Sequence, residues 1–215
     1  DVKWKFYTNK IETMIRYNYN AIKLKPKELK QIENYLFKNF EVFSKILEKL
    51  ISYTKKVIYF QLSDSEIKLI NNIPVPEKYK LEIPVEIFRG IRLTSEIIKK
   101  IEKDLKLKKE VWYNPQKNKF SSWTMNLKVA EKFNTSRKGK EGIIFKSTLT
   151  SENKFIDIFI FQVIVENLYS SYLFKNQKTL NKNQKTLFSI FAGKNFYNEE
   201  EVLVFDKIKI DKILY

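Results

Sequence analysis

The sequence predicts an α+β fold, and three observations carry that prediction. Ahead of Pro74 the apolar residues recur at helical spacing; after Pro84 short β-type runs such as VEIFRGIRL follow one another. Pro74, Pro76 and Pro84 fall together and mark the change. Residues 1–80 are therefore expected to form a helical region that packs on a mixed α/β core over residues 81–215.

The elements follow in order. Asn9 and Glu12 have capping-box spacing ahead of Ile11, Met14, Ile15, Tyr19 and Ile22, which predicts a first helix over 9–22. A second follows Pro26 with Leu29, Ile32, Leu36 and Phe40 on one face, and a third carries Val42, Ile46, Leu47, Leu50, Ile51 and Tyr53. Ser63 and Glu66 repeat the capping-box pattern before a short helix that Pro74 ends. Thr94 to Leu107 reads as one more helix, with Ile97, Ile98, Ile101 and Leu105 inward. Strands are expected at Lys119–Thr124, Gly142–Leu149, Phe155–Val165, Glu201–Phe205 and Lys207–Leu214. Strands this close in sequence, without helices between them, favour antiparallel or mixed sheets over a doubly wound parallel one. Between Lys175 and Leu187 the chain writes KNQKTLN and then KNQKTLF, a duplication too short for a solenoid and polar enough for a surface loop.

Composition limits the chemistry. With 215 residues and 43% apolar content the chain can bury a real core. Its 41 basic and 25 acidic residues leave a net charge of +16, which attracts nucleic acid, an anionic membrane face or an acidic protein. AT-rich coding, which enriches Lys, Ile, Asn, Phe and Tyr together, accounts for the same excess. No apolar run reaches the ~20 residues needed to span a bilayer, and no signal peptide is legible. A start at Asp1 is what removal of a leader, or trimming of the chain, leaves. Cysteine and histidine are both absent, which excludes disulfides, thiol nucleophiles, imidazole bases and nearly all common zinc sites. Catalysis must then rest on carboxylates, hydroxyls, amides, lysines or arginines. Four arginines, Arg16, Arg89, Arg92 and Arg137, stand where this chain habitually uses lysine. Their planar forks suit phosphates and carboxylates.

Three segments carry candidate chemistry. In EIFRGIRL, Arg89 lies inside an apolar strand, where it must pair with an acid or meet a ligand. In FSSWTMNLKVAEKF, alternation puts Ser122 and Thr124 on one face of a strand that turns at Asn126 into a short helix. With no histidine to act as base, a nucleophilic serine is disfavoured. In NEEEVLVF, Glu199 and Glu201 project the same way at a strand start; such a pair is either a solvated acidic turn or a site where a cation or hydroxyl relieves the repulsion.

In this order, Arg, then Ser-x-Thr, then Glu-x-Glu, the segments resemble the R-S-E class of mono-ADP-ribosyltransferases, which includes clostridial toxins and phage enzymes. FRG at 88–90, the serine strand running into VAEKF, and EEEVLVF look like that family's characteristic segments, and ISYTKKVIYF at 51–60 looks like its helix with a Tyr-Thr pair. The likeness spans roughly residues 45 to 206. Trp123 departs from it, standing where the family has a small residue, and so does the KNQKTL duplication.

The resemblance implies two packed, mainly antiparallel sheets forming an NAD cleft, with NAD as co-substrate and no metal. Glu201 would hold a ribose hydroxyl and stabilise the positive charge that develops as the nicotinamide–ribose bond breaks. Ser122 would orient Glu201 by a hydrogen bond. Arg89 would fork onto the pyrophosphate or the nicotinamide-side ribose, Gly90 would let its backbone approach the nicotinamide amide, and Thr124 and Arg137 would complete the NAD contacts. Glu199 would hold and deprotonate an acceptor guanidinium, Phe196 and Tyr197 would contact the acceptor, and Glu200 would face outward as a bystander. Protein arginine is thus the first acceptor. RNA or DNA steered by the basic surface, or water in an NAD glycohydrolase, are the enzymatic alternatives, and a basic nucleic-acid-binding module is the non-enzymatic one. The setting would be the cytoplasm of a target or infected cell, reached by a secreted toxin or occupied by a phage or defence enzyme. An antitoxin or immunity partner would fit either.

Overall fold

A computed structural model describes residues 24–54, 60–115, 119–161, 164, 167 and 200–215. The helix expected over 9–22, the KNQKTL duplication, Phe196, Tyr197 and Glu199 lie outside the described residues. The chain divides into two compact units, residues 1–80 with 158–198, and residues 81–157 with 199–215. Residues 158–198, inside the core expected over 81–215, thus group with the N-terminal segment.

The described residues of the first unit are mainly helical. Helix α1 spans Pro26–Lys38, with proline where the missing N–H costs nothing and Glu28 accepting the Lys25 amide at 2.7 Å. Helix α2 spans Phe40–Thr54 and α3 spans Asp64–Asn71. At α3 the predicted capping box forms: Ser63 Oγ accepts the Glu66 amide at 3.2 Å and Glu66 Oε2 accepts the Ser63 amide at 2.8 Å. Lys49 Nζ, from α2, donates to Glu66 at 3.0 Å. The buried face of α2 is Phe43, Ile46, Leu47 and Leu50, an i, i+3, i+4, i+7 stripe; Val42, expected inward, is 40% exposed because Phe43 takes that face.

The second unit holds the strands: β1 Val85–Leu93, β2 Trp112–Tyr113, β3 Ser121–Thr124, β4 Glu141–Leu149, β5 Phe155–Asp157, β6 Glu201–Val204 and β7 Ile208–Leu214. Helix α4 spans Ser95–Lys106 and α5 spans Leu127–Glu131. Among the described residues the strands form one antiparallel seven-stranded sheet, in the order β2-β7-β4-β1-β3-β6-β5, rather than the two packed sheets expected. The sheet is continuous because β1 and β3 pair, yet they do so only at Phe88↔Thr124. On either side pairing is fuller: β1 and β4 match over nine pairs from Val85↔Leu149 to Leu93↔Glu141, and β3 and β6 match from Ser121↔Val204 to Thr124↔Glu201.

Alternation along the strands builds one core from Ile87, Trp123, Ile143, Phe145, Val202, Val204, Ile208 and Ile210, with Ile98 of α4 packed into it. Burying each such aliphatic side chain contributes about 1.5–3 kcal/mol. In β7 the alternation slips after Ile210, so that Asp211 and Lys212 are both exposed. The register against β4 shifts at the same place, between Lys146 and Ser147, as a bulge requires. Two sequence expectations change here. Ile97 is 46% exposed and only Ile98 of that pair is buried. The strand expected over Phe155–Val165 ends at Asp157, and Ile158 to Phe161 are helical. That run is apolar throughout, so periodicity could not separate strand from helix, and Ile158, Phe161 and Ile164 are buried at helical spacing. No helix among the described residues is long and apolar enough to cross a membrane.

Candidate functional site

Arg89, Ser122, Thr124 and Glu201 lie on β1, β3 and β6, three neighbouring strands of the sheet. Pairing of Thr124 with Glu201 and of Ser122 with Leu203 puts Ser122, Thr124 and Glu201 on one face of β3 and β6. Trp123, between them, points to the other face, where it is 1% exposed, packs edge-on against Tyr113 and donates its Nε1–H to Ser121 Oγ at 2.7 Å. Trp123 therefore fills the core and leaves the face of Ser122 untouched.

Glu201 is 4% exposed, and Ser122 Oγ–H donates to its Oε1 at 2.5 Å. Arg89, half-buried, donates from Nη1 to the backbone carbonyl of Ser122 at 2.5 Å and lies over the Tyr113 ring at 5.2 Å. Ser122 is thus the link between the two: its backbone carbonyl holds the Arg89 guanidinium, 33 positions away in the chain, and its hydroxyl holds the Glu201 carboxylate, 79 positions away. Among the described residues the buried Nε–H of Arg89 has no hydrogen-bond partner. A buried donor of this kind costs free energy unless something accepts from it.

Other predicted residues stand differently. A Cβ on Gly90 would lie 2.2 Å from the Ala130 carbonyl oxygen and 2.9 Å from Phe133 Cβ, so the space that glycine leaves is filled by the end of α5. Packing alone requires this glycine. Thr124 is buried, and its Oγ1 accepts the Asn126 amide at 3.1 Å in the turn toward α5. Arg137 is exposed and exchanges backbone hydrogen bonds with Lys140 at 3.0 and 3.1 Å around a turn in which Lys138 and Gly139 take φ of 49° and 73°. That basic loop is tied to β1 by Arg92, which donates from Nε and Nη2 to the Thr135 carbonyl and hydroxyl at 2.6 and 2.9 Å. No bond joins Arg137 to Arg89, Ser122 or Glu201 among the described residues. Tyr53 sits in the last turn of α2 and packs edge-on against Phe60.

Sequence reasoning missed three residues. Tyr113 supplies the aromatic face under Arg89, and a two-residue strand gave too short a pattern to show it. Glu200 is not an outward bystander: its carboxylate accepts from Asn126 Nδ2 at 3.3 Å, and its carbonyl accepts the Met125 amide at 3.3 Å. Asn126 was legible as a helix cap, and its Oδ1 does accept the Lys128 amide at 3.0 Å. Its second role was not. No family model matches the chain, and no curated protein or solved structure matches it either.

Proposed function

We propose that the chain is an NAD-dependent mono-ADP-ribosyltransferase that cleaves the nicotinamide–ribose bond and transfers ADP-ribose to protein arginine. The observation that carries this is that Ser122 holds both Arg89, through its backbone carbonyl, and the buried Glu201, through its hydroxyl, each at 2.5 Å. A carboxylate held almost out of water against a serine hydroxyl is pre-oriented toward positive charge, and low exposure strengthens that interaction. Arg89 retains an unpartnered Nε–H among the described residues, which suits an anionic ligand such as a pyrophosphate.

In this reading Arg89 binds NAD through its phosphates. Ser122 holds Glu201 in one rotamer, and Glu201 faces the ribose as nicotinamide departs with the bonding electron pair. Glu199 takes a proton from the acceptor guanidinium, whose nitrogen forms the new bond to the ribose carbon. NAD and the arginyl acceptor give nicotinamide, ADP-ribosyl-arginine and one proton. The net charge of +16 favours nucleic acid as a second acceptor class.

The test is transfer from NAD labelled in its adenylate to components of a cell lysate, followed by protease or nuclease. Loss of the label on proteolysis, together with its loss in Glu199→Gln while NAD hydrolysis persists, is expected. Label removed by nuclease transfers the proposal to RNA or DNA, and equal loss of transfer and hydrolysis in Glu199→Gln rejects the separate acceptor role.

A further inference from the structure

We infer that Glu200 and Asn126 are positioning residues that set the backbone angle from which Glu201 meets Ser122. The inference rests on the function proposed above. Three non-glycine residues among those described have positive φ: Lys108, Lys138 and Glu200. Lys108 follows the end of α4 and Lys138 lies in a tight turn beside Gly139, both places where a left-handed residue is ordinary. Glu200, with φ of 47°, stands in a turn directly before the buried Glu201. A left-handed glutamate is unfavourable in isolation and persists only where its surroundings fix it.

The Glu200 carbonyl accepts the Met125 amide and its carboxylate accepts Asn126 Nδ2, each at 3.3 Å. Asn126 is itself held at both ends, by its amide on Thr124 Oγ1 at 3.1 Å and by Lys128 N–H on its Oδ1 at 3.0 Å. The turn at Glu200 therefore sends one carboxylate to the cap of α5, while the next residue falls in register with Thr124 and accepts from Ser122. Relaxing Glu200 to the right-handed region would rotate the peptide joining it to Glu201 and break the Met125 bond. The glutamate would then meet Ser122 at another angle.

The test is steady-state nicotinamide release from NAD by wild-type protein and by the variants Glu200→Ala, Asn126→Asp, Glu201→Gln and the double variant Asn126→Asp/Glu200→Gln. Asn126→Asp keeps the oxygen that caps α5 but removes the donor and sets a like charge on Glu200. The double variant restores a donor–acceptor pair with the roles exchanged. Each single change at Glu200 or Asn126 is expected to lower kcat about 10-fold or more, the size of one charge-assisted hydrogen bond, with KM for NAD within about twofold. The double variant is expected to regain most of that loss, and the loss is expected in kcat per folded molecule, which a merely structural contact would leave unchanged. Full kcat in both single variants, beside an inactive Glu201→Gln, overturns the inference and leaves the proposed function standing. Losses that track the folded fraction by circular dichroism, or a double variant that recovers nothing, also overturn it. A wild-type protein that neither binds nor cleaves NAD removes the proposed function and this inference together.

Discussion

Replacing Gly90 by alanine tests the packing that joins β1 to α5. The added Cβ would stand 2.2 Å from the Ala130 carbonyl oxygen, where ordinary contact begins at 3.4 Å, and the obstacle is backbone that no rotamer change can move. Helix α5 must retreat by about 1 Å, loosening the buried Val129 and Ala130, and overpacking of this kind costs about 1–3 kcal/mol. Two of the three contacts are closer than 3.0 Å, which places the expectation in the upper half of that range, about 2–3 kcal/mol. Gly139→Ala is the contrast: nothing lies within 4 Å of its Cβ, but φ is 73°, so only backbone strain of about 1 kcal/mol applies. Urea unfolding at pH 7 reads both, as a shift in midpoint at constant m-value. If Gly90→Ala costs less than about 0.5 kcal/mol, or less than Gly139→Ala, the close approach of α5 to β1 is wrong.

Two further outcomes follow from the geometry. Ser122→Ala removes a hydrogen bond to a nearly buried carboxylate, worth about 1.5–3 kcal/mol, so kcat for nicotinamide release should fall about 10- to 150-fold with KM for NAD little changed; an unchanged kcat would separate Ser122 from the chemistry. Burial acts to raise the Glu66 carboxyl, but the Ser63 amide and Lys49 outweigh it and hold the carboxyl below its ordinary range. A depressed folded-state value means that the folded form releases this proton more readily. Its stabilisation is therefore present above the ordinary carboxylate range and is lost as pH falls through the lowered value. Glu66→Gln should accordingly cost about 0.5–1 kcal/mol at pH 7, discounted for partial exposure, and nothing at pH 2. A cost that is the same at both pH values contradicts the pairing.

Strong local signals made much of the fold legible. The nine-residue runs of β1 and β4, the serine strand and the Ser63 capping box alternate or cap plainly, and they lie where the sequence put them. The segment from Phe155 reads as a strand and is helical from Ile158 because apolar residues stand at nearly every position, which erases the difference between periods of 2 and 3.6. One sheet rather than two turns on a single cross-strand pair, Phe88↔Thr124, and nothing in either strand's composition announces that pair. At the site, Arg89 is legible as a charge inside an apolar strand, whereas Ser122 and Glu201 are ordinary by themselves and stand out only through the order of the three segments. Glu200 is hidden from the pattern because alternation assumes extended backbone, and its φ of 47° breaks that assumption. Tyr113 and Asn126 act through position alone, which composition does not encode.

Nicotinamide release from NAD by purified wild-type protein beside Glu201→Gln measures the central claim most directly. The isosteric change keeps an oxygen for the Ser122 hydroxyl while removing the negative charge. The account predicts that the wild-type chain cleaves NAD and that the variant retains the fold and NAD affinity but loses about 100-fold or more in kcat, the scale of removing an electrostatic stabiliser from a transition state. Equal rates for the two proteins, or a wild-type chain with no action on NAD, would contradict it.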